Sequence, residues 1–507
     1  MFMSGGTGDL VEPMSGRRLS APEIRERLAM RCANYLARGL AAGDRVFLHY
    51  GNCVEFFIDV MAVWYLGGCV APVDGRLTPF EVTTLAASAR PRFSVWDEAP
   101  HETLARELQA MAVTVVGKPD GTRTTGYALP PSAMRLDDEA LILFTSGTTG
   151  NPKGVVHTHR SLRARWTSLR SALGLSAFKR SLCLLPTHFG HGLICNSLYP
   201  WLYGQDLYVM PPFRADLLMQ LGQIIDEHAI TFMSSVPTVW RLAIKTASPP
   251  QRASLKRIFC GSAPLSGALW RSVQQWSDGC EVMNAYGITE TGSWLAGTTV
   301  AMGEPADGFI GEAWGGVLRV LRSGDTVAFN DGSTACAPEE SGHIWINTPA
   351  LMKGYLDRDD LTAAVVTQGW FSTGDIGLLD EQGHLHLRGR LREEINKGGM
   401  KVYPSDIDAV IESFADTLDV CAFAIEDTLL GEDVGAAVVL RSASDQALLA
   451  LRAWAAQRLA AHQLPKRWYV LTEIPRTSRG KVNRSAVAAH CAPLTPVPFA
   501  QLLKRET

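Results

Sequence analysis

The segment Leu141-Ile-Leu-Phe-Thr-Ser-Gly-Thr-Thr-Gly-Asn-Pro-Lys-Gly154 has the composition best suited to chemistry. An apolar run leads into glycines, hydroxyl and amide side chains and a lysine. Such a loop can wrap backbone N–H groups and hydroxyls around phosphate oxygens. It is not a Walker A loop, which needs Gly-x4-Gly-Lys-Ser/Thr. Five residues after Gly147 stands Pro152, and Lys153 is followed by Gly154. His157-Thr-His159 and His188…His191 have the spacing of metal ligands, but no third cluster accompanies either, so neither is read as a metal centre. The ten cysteines include no CxxC pair, the closest two being twelve apart, which reads as reduced, mostly buried thiols in a cytoplasm.

A loop of this kind has to be held by a rigid frame, and 507 residues are enough for two to four cores. Hydrophobic residues at 46% and charged residues at 20% fit an ordinary globular enzyme rather than a disordered or fibrous chain. Net charge is 48 − 51 = −3, leaving no basic excess for a nucleic acid or an anionic membrane. The N-terminus reads as no export signal. The most apolar long stretch, Phe56–Val73, carries Asp59 and two glycines, so no membrane span is expected.

Ser20-Ala-Pro-Glu23, a stripe of Ile24, Leu28, Cys32, Tyr35 and Leu36, and Gly39 predict an amphipathic helix over 21–38. A strand at Arg45–Tyr50, a helix over 54–67, a buried run at Cys69–Val73 and a helix over 79–88 continue an α/β alternation. Short Gly/Ser/Pro stretches at 4–16 and 323–338 are the only hints of low complexity. From about 340, short β-like pieces (His343–Asn347, Gly377–Asp380, His384–Leu387) predict a smaller β subdomain. Beyond it, a helix opening at Ser405, β-like runs at Val420–Ile425 and Val434–Leu440 and a helix near 445–460 form an α+β unit. The expected fold is α/β, with a large layered N-terminal domain, 1–389, and a small mobile α+β domain, 390–507, divided at 389–393.

The loop at 141–154 resembles the phosphate loop of the adenylate-forming superfamily: acyl- and aryl-CoA ligases, peptide-synthetase adenylation domains and firefly-type luciferases. Five more motifs of that family follow in order. Cys260-Gly-Ser-Ala-Pro-Leu265 resembles its adenine-side turn and Asn284-Ala-Tyr-Gly-Ile-Thr-Glu290 its YGxTE segment. Phe371-Ser-Thr-Gly-Asp375 resembles its TGD, Gly389-Arg390…Ile395-Asn-Lys-Gly-Gly399 its hinge motif, and Pro475-Arg-Thr-Ser-Arg-Gly-Lys481 its terminal lysine loop. The match runs from about residue 20 to 485 and is nearest in style to the acid–CoA ligases.

The resemblance implies a use for each of these positions. Thr145, Ser146, Gly147, Thr148, Thr149 and Lys153 would hold the phosphates that leave as pyrophosphate. Gly261, Ser262 and Ala263 would face adenine, and Asp375 and Arg390 the ribose. Thr289 would bond the α-phosphate, and Glu290 would hold Mg²⁺, a hard cation that prefers oxygen ligands. Lys481 would stand between the acid carboxylate and the α-phosphate, where charge concentrates during attack. Arg392 takes the hinge position, where the family often has Asp or Lys. Gly398, Gly399 and Met400 would form a passage for the thiol.

For the acid pocket the resemblance implies Phe189, Val236, Asn284, Ala285, Tyr286 and Gly287, with Phe189 at the spacing of the family's aromatic gate. Phe189 is alternatively a core aromatic, and Trp240 and Trp294 read equally as pocket or core. Between Pro186 and Gly204 there is no Asp or Glu, which disfavours an amino acid, whose ammonium needs a paired charge. Gly287 stands where acetate-type members carry a tryptophan, so depth is expected there. The expected activity is ATP-dependent conversion of a bulky hydrophobic acid (aryl, alicyclic or medium-chain) to an acyl-adenylate, then transfer to coenzyme A. The expected cofactors are ATP, Mg²⁺ and coenzyme A. Two alternatives stay open: loading of a phosphopantetheinyl carrier protein, and a non-catalytic ATP-binding relative.

Overall fold

The computed structural model describes residues 6–118, 126–145, 153–212, 214–299, 304–322, 335–391, 393–397, 400–477 and 481–499. Two large sheets interleaved with helices, and a smaller third sheet near the C-terminus, give the layered α/β architecture that the sequence predicts. In the seven-stranded sheet, Arg45–Leu48, Cys69–Pro72, Phe93–Trp96 and Thr114–Gly117 run parallel. Parallel neighbours need crossovers, and the helices Val54–Tyr65, Pro79–Ala89 and Glu102–Ala110 supply them. Glu139–Thr145 adds in parallel to Cys69–Pro72 and returns antiparallel as Lys153–Thr158. The two ends of the phosphate-loop motif are therefore paired strands, with Thr145 opposite Lys153.

The helix predicted over 21–38 spans Ala21–Ala37, and the Glu23 carboxylate accepts from the Ser20 N–H at 2.9 Å and its hydroxyl at 2.7 Å. Such a box satisfies donors that a helix start leaves open. The apolar helix Val54–Tyr65 is a core element: its buried Asp59 is neutralised by Arg31 and accepts from the Tyr35 hydroxyl at 3.0 Å. Among the described residues no helix is long and apolar enough to cross a membrane.

Two expectations need correction. Residues 10–19 are not a low-complexity lead-in: Leu10–Glu12 and Arg17–Leu19 form a hairpin, turned by Gly16 at φ +68°, that pairs in parallel with Asp206–Val209. The β subdomain is not a separate sheet. Val317–Leu321, Gly342–Asn347, Trp370–Leu379 and Leu385–Arg390 do pair antiparallel. Phe309–Ala313 and Ser293–Gly297 then join them to Glu281–Ile288, so they extend the fourteen-stranded sheet. Both errors have one cause: strand partners are chosen at long range, and a short strand carries no periodic signal of its own.

Toward the C-terminus, Ile395–Lys397, Met400–Val402, Thr417–Asp427, Gly431–Leu440 and Arg467–Val470 build the third sheet. It buries its own apolar cluster, including Ile407, Val434, Leu451 and Trp468.

Candidate active site

Asp375 lies in the strand Trp370–Leu379, and the register sets it opposite Arg390. Arg390 Nε reaches Asp375 Oδ1 at 3.0 Å, and the Tyr286 hydroxyl donates to Oδ2. Gly374, at φ +71°, supplies the left-handed residue before Asp375. The Asp375 N–H is held by Thr373 Oγ1 at 3.1 Å. Burial raises the Asp375 carboxyl above its usual range and the Arg390 charge works against that rise. Burial and the same carboxylate push the Tyr286 phenol well up. The result is a buried carboxylate held by a cation and a phenol, suited to accept from vicinal hydroxyls. Tyr286 was expected to line the acid pocket, yet its polar end belongs to this cluster.

Thr289 and Glu290 form a short turn at the end of Glu281–Ile288, closed by Gly292 at φ +72°. Three donors hold its backbone. His157 Nε2 reaches the Thr289 carbonyl at 2.8 Å, the Met352 N–H the Glu290 carbonyl at 2.7 Å and Arg165 Nε the Thr291 carbonyl at 3.0 Å. Burial pushes His157 down to about 4, so its ring is neutral at pH 7 and donates here, while Nδ1 lies 3.2 Å from Ser161 Oγ. Arg165 is fully buried and its other arm bonds the Trp314 carbonyl at 2.6 Å. Tyr355 donates its hydroxyl to Glu290 Oε1 at 2.7 Å, and the Lys153 ammonium lies 5.0 Å from the Tyr355 ring centroid. Lys153 and Glu290, 137 residues apart by their numbering, thus meet across one tyrosine. Ser146, Gly147, Thr148 and Thr149 lie outside the described residues; Thr145 Oγ1 stands 3.5 Å from the Lys153 carbonyl.

On the acid side, Phe189 is half-buried and stacks on His188, ring centroids 5.0 Å apart, while His188 Nε2 is 3.4 Å from Asp74. His191 is set between two hydroxyls, Ser262 Oγ at 2.7 Å from Nδ1 and Ser234 Oγ at 2.5 Å from Nε2. Because Ser234 gives its proton to the Phe259 carbonyl at 3.3 Å, Nε2 carries the ring proton and Nδ1 accepts from Ser262. Ser262 sits at φ +65°, a left-handed conformation that a non-glycine residue adopts at a cost. Burial pushes His191 down to about 3, and the Lys481 charge adds to that shift. Val236 caps the helix Pro237–Thr246 and is half-buried, as is Ala263, whereas Ala285 is buried. Asn284 is a brace, its amide donating to the Phe309 carbonyl at 2.8 Å. Trp240 and Trp294 are core: Trp240 packs on Trp276 and Trp294 on Phe259.

The reasoning from Gly287 to pocket depth fails. A Cβ at Gly287 would stand 2.3 Å from the Ser293 carbonyl oxygen, at the bulge between Glu281–Ile288 and Ser293–Gly297. Close strand approach, rather than space for a substrate, requires glycine here. Gly261 is alike, with the Ala285 carbonyl at 2.2 Å.

The Lys481 backbone is held by Thr477, whose N–H donates to the Lys481 carbonyl at 2.8 Å and whose Oγ1 accepts from the Lys481 N–H at 3.2 Å. The positive charge of Lys481 works to lower the pKa of both Asp375 and His191. Met400 begins a strand in the third sheet and is about half exposed. Gly398, Gly399 and Arg392 lie outside the described residues.

The sequence reading did not single out Tyr355, Arg165 or Ser234, and it took His157 only as half of a rejected metal pair. Tyr355, Arg165 and Ser234 stand in no motif spacing that would mark them, and the spacing of His157 with His159 pointed elsewhere.

Comparison with known proteins gives a consistent picture. The model of the AMP-binding enzyme family matches residues 8–356, and that of the AMP-binding enzyme C-terminal domain matches 406–481. The first match begins before residue 20 and takes in the Leu10–Leu19 hairpin. A probable CoA ligase of Humulus lupulus is 29% identical over 90% of this chain and 88% of its own. A long-chain-fatty-acid–CoA ligase of Mycobacterium tuberculosis is 29% identical over 96% of each chain. The crystal structure of ATP-bound MatB from Rhodopseudomonas palustris superposes with a TM-score of 0.82 at 25% identity, covering 97% of each chain.

Proposed function

The chain belongs to the AMP-binding enzyme family and is an acid–thiol ligase using ATP, Mg²⁺ and coenzyme A, and we propose that its acid is bulky and hydrophobic: aryl, alicyclic or medium-chain. The observation that carries this reading is the neutrality of the acid side. His191 is buried, uncharged and committed through both nitrogens to serines, while the half-buried Phe189 and Val236 offer apolar surface. A second carboxylate or an ammonium on the substrate would be desolvated beside the neutral His191 ring, while the carboxylate on the Phe189 side, Asp74, is already engaged by Arg76 and His188.

The donor set fits the nucleotide and the metal. Glu290 offers a half-buried carboxylate, Lys153 an ammonium, and Asp375 a carboxylate beside Arg390. When bound, Mg²⁺ would neutralise phosphate charge, with Glu290 among its ligands. Thr289 would bond the α-phosphate and Lys153 the departing pyrophosphate, while Asp375 and Arg390 would fix the ribose. Lys481 would place its charge where the acid oxygen attacks phosphorus, stabilising the transition state more than the ground state.

For the second step we read Gly398, Gly399 and Met400 as the thiol passage, with the domain boundary at 389–393 and the hinge at Arg392. The separate apolar core from Ile395 onward supports that boundary. A cytoplasmic setting, where ATP and coenzyme A are both available, goes with this reading.

Pyrophosphate exchange over a panel of aryl, alicyclic, medium-chain, dicarboxylic and amino acids tests the substrate class. Thioester formation, with coenzyme A or a phosphopantetheinyl carrier offered separately, then tests the acceptor. Preference for a dicarboxylic or amino acid would overturn the hydrophobic reading, and turnover only with the carrier would overturn coenzyme A.

A further inference from the structure

We propose that Tyr355 is a positioning residue that keeps Lys153 and Glu290 apart and aimed, so that each meets its own partner in Mg²⁺–ATP. The inference rests on the reading of Glu290 as a metal ligand and of Lys153 as a phosphate contact.

The two groups carry opposite charges and both contact one side chain, Glu290 through the hydroxyl and Lys153 through the ring. The phenol donates to Glu290 Oε1 at 2.7 Å. The ammonium lies 5.0 Å from the ring centroid, inside the range of about 6 Å over which a cation is held by an aromatic face. The ring is buried and its backbone is fixed on every side. The Tyr355 N–H donates to Thr362 Oγ1 at 2.9 Å, Lys353 N–H to the Val156 carbonyl at 2.8 Å and Leu356 N–H to the Gly154 carbonyl at 2.8 Å. With the Met352 N–H on the Glu290 carbonyl, the segment 352–356 ties the Lys153 strand to the Glu290 turn.

An ammonium and a carboxylate with nothing between them attract strongly in a partly desolvated site. A direct pair would satisfy both and leave neither for the ligand. Tyrosine offers a π face to the cation, which phosphate can outcompete, and a charge-assisted hydroxyl bond to Glu290 Oε1, which holds that carboxylate in place while Oε2 is offered to the metal. Phenylalanine can do the first only, and leucine neither.

The test reads binding rather than turnover. Mn²⁺ replaces Mg²⁺ as a probe, in the presence of a non-hydrolysable ATP analogue, and is followed by loss of the free-Mn²⁺ electron paramagnetic resonance signal. Calorimetry follows the analogue without metal. Tyr355→Phe should weaken Mn²⁺ binding about tenfold, as for a lost hydrogen bond to a charged group, and leave metal-free analogue binding unchanged. Tyr355→Leu should weaken both; if it does not fold, Tyr355→Phe decides alone. Glu290→Gln is the control for the underlying reading. If it leaves Mn²⁺ affinity at the parental value, Glu290 is not a ligand and the inference falls with it. If it weakens Mn²⁺ while Tyr355→Phe does not, the metal reading stands and the role of Tyr355 is overturned.

Discussion

Arg241 reaches Glu412 through Nε at 3.1 Å, joining the helix Pro237–Thr246 to the helix Pro404–Glu412. The first helix is capped by Val236, on the acid side, and the second belongs to the C-terminal unit that carries Lys481. A second tie, from the Ser405 hydroxyl to the Arg388 carbonyl, lies nearby in sequence. On the proposed two-step reading, this pair would belong to the arrangement that serves the first step, adenylation, in which Lys481 would act.

Glu412→Gln should loosen that arrangement. A pair about one quarter exposed contributes modestly, so pyrophosphate exchange should fall by up to about fivefold. Thioester formation from supplied acyl-adenylate, a step in which the proposed reading gives Lys481 no part, should not fall. Equal rates for parent and variant in both assays would show that the pair does not hold the first-step arrangement.

Lys481→Ala removes the charge that acts on Asp375 and His191. By comparison with losing a transition-state donor, adenylation should drop by roughly 10²–10³-fold, while thioester formation from supplied acyl-adenylate should largely survive. Parallel loss of both steps in rapid-mix assays would make Lys481 a structural residue instead.

Gly287→Ala should destabilise the protein by about 1–3 kcal/mol, the usual cost of forcing an atom into packed structure, because the new methyl meets the Ser293 carbonyl. Chemical denaturation measures this directly. An unchanged midpoint would show that the bulge opens freely, and would return Gly287 to consideration as a pocket wall.

His157 gives a pH prediction of definite sign. Its folded pKa, about 4, lies below the unfolded value, 6.5, so the unfolded state binds the proton first. Its contribution is complete above pH 6.5 and is lost as pH falls toward 4, at up to about 1.4 kcal/mol per pH unit. His157→Gln, whose amide can still donate to the Thr289 carbonyl, should flatten the stability profile between pH 6.5 and 4. Profiles of equal slope for parent and variant would rule out a buried neutral His157.

Much of this protein was legible without coordinates because its chemistry is written in contiguous motifs. The glycines and hydroxyls of 141–154, the Thr-Gly-Asp at 373–375 and the segment before Lys481 each need a local backbone shape, and local shape is set by residue type. The helices at 21–37 and 54–65 were legible for the same reason: caps and apolar period are local signals.

What the tertiary structure alone decided is who meets whom. Leu10–Glu12 is a strand only because Asp206–Val209 lies beside it. Gly287 looked like room for a substrate and is a close approach of two backbones. Tyr355 and His157 act on Glu290 and Thr289 from more than sixty and more than one hundred residues away. Such contacts depend on strand register and chain crossing, which arise from the sum of many weak long-range choices and leave no mark at the residue itself.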